Sequence, residues 1–219
     1  MAIIEGGVSG ALVGVGAESN SPLHAVLKAL PHGSLGHYRT GIKLTMATTQ
    51  AANSRLFEIR NTTTNLLVLT RCFVMVSPAG TITTPYVGEI GLFRLTGFTA
   101  VDTTNTVTPT TSVKRTSMAA YPGGAAVRHN TVAGAAAGMT GGTLTKDANM
   151  LGSLLFNATT FGAGTVPISR EFVDDENGTH PLVLAQNEGF ELENVVVGSG
   201  TANVVHVMIN CSWAEVTAY

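Results

Sequence analysis

Hydrophobic residues fall at every second position through the last run of the chain. Val205, Val207, Ile209, Cys211 and Trp213 alternate with His206, Met208, Asn210, Ser212 and Ala214. A period of two sends the first set to one face of a β-strand and the second set to the other. The first set is apolar and holds the only tryptophan, so it predicts the core face, with Trp213 as its anchor. The second set is mixed, as in a sheet with one wetter side. Upstream, Phe190 and Leu192 alternate with Glu191 and Glu193, which predicts a second, half-buried strand. Gly198-Ser199-Gly200 between them can adopt the positive φ of a tight turn, so the two strands are expected to form a β-hairpin.

Weaker versions of the pattern mark further strands. Ile42 and Leu44 predict a short one in a β region that starts near Tyr38. Residues 56–60 predict another, closed by Asn61 and a Thr-rich turn. Residues 66–77 are apolar enough for a central strand and end at Pro78. Residues 86–95 follow, with Gly88 and Gly91 marking a bulge or a close backbone approach. Residues 101–116 are rich in Thr and poor in large apolar side chains, which reads as an exposed excursion or edge ribbon. Residues 119–142 are rich in Ala and Gly and are expected to be mostly irregular. Strands near 151–157 and 168–173 precede an acidic turn, Asp174-Asp-Glu-Asn-Gly178. Short strands, no long helix and frequent turns predict an all-β fold, a jelly-roll-like antiparallel β-sandwich over residues 41–219 with long loops and a loop-rich insertion at about 97–150.

Residues 1–40 follow a different pattern and are expected to form an extended N-terminal arm. Ile3, Ile4, Val8 and Leu12 are spread among glycines. Leu23, Val26, Leu27 and Leu30 fall at helical spacing between Ser21-Pro22 and Pro31, leaving room for one short helix of about two turns. Apolar side chains on such an arm need a partner surface, in their own domain or in another subunit, which makes these eight residues a candidate assembly arm.

Composition sharpens this picture. Charged residues make up 12% of the 219 residues, against about 25% in an average chain. Hydrophobic residues make up 44% and aromatics 6%. The surface is therefore neutral and hydroxyl-rich, suited to packing in a crowded assembly. A net charge of −2 gives no electrostatic drive toward nucleic acid. No run approaches the ~20 apolar residues of a membrane helix, and no secretory signal is evident, so synthesis in the cytoplasm is expected. Cys72 and Cys211 sit in apolar strand-like runs and read as buried thiols, with a disulfide between them left open. The sequons at Asn61, Asn157, Asn177 and Asn210 read as chance occurrences.

The search for catalytic chemistry yields no residue. Gly14-Val-Gly16 lacks the third glycine of a dinucleotide fingerprint and a preceding strand. No Gly-x-Ser-x-Gly elbow occurs. The six histidines are dispersed, and His206, between two valines, reads as a satisfied or surface side chain. Asp174, Asp175, Glu176 and His180 form the one charged cluster; their spacing misses that of a calcium loop, and a solvated turn is the default over a divalent-ion site. As a glycosidase carboxylate pair, Asp174 and Glu176 lack an aromatic sugar platform. No catalytic residue, cofactor or metal is expected.

Several stretches resemble a known group. They are Met1-Ala-Ile-Ile-Glu-Gly-Gly7, Leu35-Gly-His-Tyr-Arg39, Gln50-Ala-Ala-Asn-Ser-Arg-Leu-Phe57, Arg94-Leu-Thr-Gly-Phe-Thr-Ala100, Gly178-Thr-His-Pro181, Asn187-Glu-Gly-Phe190 and Ser212-Trp-Ala-Glu-Val216. Together they resemble virion structural proteins of tailed bacteriophages, similar in general shape to jelly-roll decoration (cement) and head-fibre proteins. The resemblance implies a non-enzymatic building block on the capsid surface, made in the host cytoplasm. Its implied partners are copies of itself, as a homotrimer, and the major capsid protein, with neither nucleic acid nor membrane. A tail, neck or fibre component with a receptor- or glycan-binding role is the alternative. A cupin-like enzyme is disfavoured by the absent histidine cluster.

Overall fold

The computed structural model describes residues 2–6, 11–15, 34–46, 50–78, 86–109, 113–114, 124–131, 137–158, 167–174, 181–196 and 205–219. Among them are fifteen strands and no helix. The first five are β1 (Ala2–Gly6), β2 (Ala11–Val15), β3 (Ser34–Met46), β4 (Ser54–Asn61) and β5 (Leu66–Pro78). Next come β6 (Tyr86–Ala100), β7 (Thr106–Val107), β8 (Val113–Lys114), β9 (Ala125–Asn130) and β10 (Thr143–Lys146). The chain closes with β11 (Gly152–Ala158), β12 (Ile168–Asp174), β13 (Leu182–Leu184), β14 (Gly189–Asn194) and β15 (Val205–Val216).

Among the described residues β1 and β2 pair only with each other, as a two-stranded sheet. The first large sheet runs β12-β5-β15-β3-β8, with β13 also on β5; the second runs β10-β6-β14-β4-β9-β7, with β11 also on β6. Every described pairing is antiparallel. The long strands give the orders β3-β15-β5-β12 and β4-β14-β6-β11. The chain steps between sheets from β3 through β6, stays in the second sheet for β11, then crosses for β12, β14 and β15. This is the double Greek key of a jelly roll.

The core lies between the two sheets, where alternation directs one face of each strand. Along the first sheet, Trp213 stands opposite Tyr38 and Leu69, Cys211 opposite Thr40 and Cys72, and Ile209 opposite Ile42 and Val74. Trp213 is wholly buried and stacks on Tyr38 with ring centroids 6.0 Å apart. The second sheet contributes Leu56, Phe57, Ile59, Ile90, Leu92, Phe156, Phe190 and Leu192 to the same cluster. Gly88 lies opposite Phe156 in register, and a Cβ there would run into that ring. The glycine is thus a close approach of backbone to an aromatic side chain.

The structure corrects several expectations. The expected C-terminal hairpin does not form, because β14 and β15 lie in different sheets. Alternation fixes which face of a strand is buried but not which strand lies beside it, and both strands face the same core from opposite sides. Among the described residues the sandwich begins at Ser34, so residues 34–40 belong to β3 rather than to the arm: Tyr38 and Thr40 point inward beside Trp213 and Cys211. The stretch 119–142, expected to be irregular, contains β9, which pairs with β4 across Phe57 to Asn61. Its small side chains gave little hydrophobic signal. Four strands, β7 to β10, lie inside the insertion at 97–150. The helix expected between Ser21 and Leu30 lies outside the described residues. Asn61, one of the sequons, is buried and donates through Nδ2 to the carbonyls of Asn65 (2.6 Å) and Leu184 (2.9 Å).

Candidate functional site

The main concentration of chemistry among the described residues lies outside the core, on the outer face of the second sheet. β14 sits between β4 and β6 there and is buried on both faces. Phe190 and Leu192 point into the core, so Glu191 and Glu193 point outward by alternation. They do not reach water: Glu191 is 0% exposed and Glu193 2%. This corrects the half-buried reading of β14.

Local irregularity in β4 assembles the rest. Leu192 pairs with Phe57 but Glu193 pairs with Arg55, leaving Leu56 as the extra residue of a β-bulge. The bulge lets Leu56 and Phe57 both enter the core and brings Arg55 onto the same outer face as Glu58. Glu58 is then directly opposite Glu191 on one side and Arg128 of β9 on the other. Asp102 descends onto this row from the segment after β6. Its N–H donates to Glu58 Oε1 at 2.9 Å, its Oδ2 meets Arg55 Nη1 at 2.5 Å, and its Oδ1 accepts from the Gly142 N–H at 2.7 Å. Arg55 Nε lies 3.1 Å from Glu191 Oε2. That contact is Coulombic rather than an aligned hydrogen bond, and neither Glu191 oxygen has a formed donor. Lys146, at the end of β10, lies 2.8 Å from both Glu193 oxygens and 4.5 Å from the Phe93 ring centroid.

These surroundings reset the acidity of two carboxyls. Burial pushes Glu58 up to about 7, with the Asp102 charge adding to the rise and the Asp102 N–H, Arg55 and Arg128 opposing it. Burial pushes Glu191 up to about 8, opposed by Arg55 and reinforced by Glu193. Two glutamates directly opposite each other on neighbouring strands repel when both are ionised. Burial and this repulsion together favour the neutral form of Glu58 and Glu191. The acid groups of this row are buried.

Among the described residues, no group of three His, Cys, Asp or Glu side chains is placed to hold a metal ion. No helix among them is long and apolar enough to cross a membrane. Cys72 and Cys211 are buried free thiols with sulfurs 3.6 Å apart, and burial pushes the Cys211 thiol well up. His206 Nδ1 lies 3.1 Å from Thr45 Oγ1. Of the candidate arm residues, Ile3 and Ile4 lie in β1 and Leu12 in β2. Val8, Leu23, Val26, Leu27 and Leu30 lie outside the described residues. Asp174 ends β12, and the remainder of the acidic turn lies outside them. Along β11, the turn before it and its neighbour β6, Leu155, Met150, Leu151 and Val87 are exposed.

Arg55, Glu58, Asp102, Glu191, Glu193 and Lys146 come from four separated segments, and none belongs to a catalytic or ligand-binding motif. One signal was available. In a chain with 12% charged residues, Arg55, Glu58, Arg60, Glu191 and Glu193 crowd into two strand-like runs. No family model, curated protein or solved structure matches the chain.

Proposed function

We propose that this chain is a non-enzymatic structural protein of a bacteriophage virion, a decoration or cement protein that binds the outside of the head and stabilises it. The observation that carries the reading is the strand order, β3-β15-β5-β12 facing β4-β14-β6-β11. Viral capsid domains use this jelly-roll architecture, as do lectins and cupins. The sequence resemblance to phage virion proteins selects among these. Two further features support it. The titratable cluster is shut away from solvent, as suits a structural role. The β1–β2 hairpin is a sheet of its own, a ready-made element for joining a neighbouring subunit or the shell. Its partners in this reading are two further copies of itself and the major capsid protein.

Immunogold labelling of intact virions tests the assignment. Gold on the heads is expected; gold on tails or fibres moves the protein to the alternative role, and unlabelled particles contradict both. Deletion of residues 1–33, which ends before β3, tests the arm. The truncated protein is expected to keep its β circular dichroism and lose binding to undecorated heads. Unchanged binding would remove the arm from the assembly.

A further inference from the structure

We propose that the charged layer on the outer face of the second sheet is a proton-operated latch. Protons held on Glu58 and Glu191 keep the segments 101–104 and 138–142 closed over the sheet, and loss of those protons releases them.

The covering segments are tied to each other and fastened to the sheet at few points. Thr104 N–H donates to Thr140 O at 2.9 Å, and Thr140 N–H donates to Thr104 O at 3.2 Å. Gly142 N–H and the Asp102 carboxylate join the same two segments. Fastening to the sheet runs through Asp102 to Glu58 and Arg55, and through Met139 N–H to Arg55 O at 3.1 Å. Glu58 and Glu191, by contrast, sit in central strands held by ladders on both sides. If the layer becomes strained, the segment carrying Asp102 is the part free to move.

Protonation decides that strain. With every carboxyl ionised, Glu58, Asp102, Glu191 and Glu193 stand against three cations, Arg55, Arg128 and Lys146. Arg60, next along β4, is engaged with Asn187 Oδ1 at 2.8 Å. On β6 the row presents Phe93 and Gly91, and Glu89 lies one step further along the strand. Glu58 Oε2 and both Glu191 oxygens are buried without a formed hydrogen-bond donor, an environment that suits a neutral carboxyl and penalises an ionised one. With protons bound, two ion pairs remain, Asp102–Arg55 and Glu193–Lys146, separated by neutral acids. With the protons lost, Glu58 and Glu191 become carboxylates buried with too few donors, and lifting the cover relieves that cost by letting water reach them, against the Asp102 N–H bond to Glu58. The rise of Glu58 to about 7 and Glu191 to about 8 places the transition in mildly alkaline solution.

Amide hydrogen exchange of the full chain at about pH 6 and about pH 8.5, corrected for intrinsic rates, tests the latch. The amides to follow are Asp102, Thr104, Thr140 and Gly142, with Val207 and Ile209 in β15 as the reference. Protection of the four latch amides is expected to fall roughly tenfold more than that of the reference pair as pH rises. Glu58→Gln and Glu191→Gln, which mimic the protonated form, are expected to remove most of that fall. A pH-independent latch, or a fall shared equally by the reference amides, would overturn the proposal. Carbon-13 NMR of the glutamate carboxyls in the unmodified protein gives a readout that does not depend on the variants folding: at least one is expected to titrate above about pH 6.5, and none doing so would also overturn it.

Discussion

The two faces of β14 are buried to nearly the same extent by opposite means. Phe190 and Leu192 pack into an apolar interior shared by both sheets, where burial itself is favourable. Glu191 and Glu193 are buried on the other side, where burial is costly and must be offset by Arg55, Lys146 and bound protons. The inner face is therefore expected to be indifferent to pH and salt, and the outer face to depend on both. Burial alone says little about stability; what matters is whether the buried atoms want water.

Substitutions can break this contrast. The largest effect is expected at Trp213 of β15, which is wholly buried in the apolar interior that the inner face of β14 shares. Trp213→Ala should cost about 3–5 kcal/mol, equally at acid and alkaline pH, in urea unfolding. A loss under about 1 kcal/mol would mean that the tryptophan does not anchor the core. Next comes Arg55, the cation shared by Asp102, Glu58 and Glu191. Arg55→Ala should cost on the order of 3 kcal/mol at mildly alkaline pH. The loss should be smaller at about pH 5.5, where Glu58 and Glu191 hold protons and Asp102 alone loses its partner. A pH-independent cost would make Arg55 a packing residue. The smallest effect is expected at Lys146, whose side chain is 32% exposed. Lys146→Met should cost about 2 kcal/mol, because it leaves the buried Glu193 without its cation, and the partly exposed side of the pair should make the difference shrink in high salt.

The same contrast explains what the sequence revealed. The inner face was legible because apolar residues at every second position leave a periodic record, as in residues 205–213 and in the central strand β5. Pairing was not legible: nothing in residues 189–216 shows that β14 and β15 part into separate sheets. β9 was hidden because Ala125, Ala126 and Val127 are small, and the start of β3 was hidden because Ser34, Gly36 and Thr40 add little hydrophobic signal. The charged layer was hidden more deeply. It needs the bulge at Leu56 to turn Arg55 toward Glu58, and Asp102 arrives from a Thr-rich stretch that reads as exposed. Contacts between residues so far apart in the chain have no local signature.

The most direct test of the account is the free energy of unfolding in urea from about pH 5.5 to about pH 8.5. Folding raises Glu58 from an ordinary value of 4.5 to about 7, and Glu191 from 4.5 to about 8. Between those limits the folded state holds protons that the unfolded chain has released. Their stabilisation is complete below about 4.5 and is lost as pH rises through about 7 and 8. Stability is therefore expected to fall by on the order of 5 kcal/mol across the range, and the fall should be largely absent in the Glu58→Gln, Glu191→Gln double variant. Stability that is flat or rising through the same range would contradict the account, because the outer layer would then be held by ion pairs without its protons.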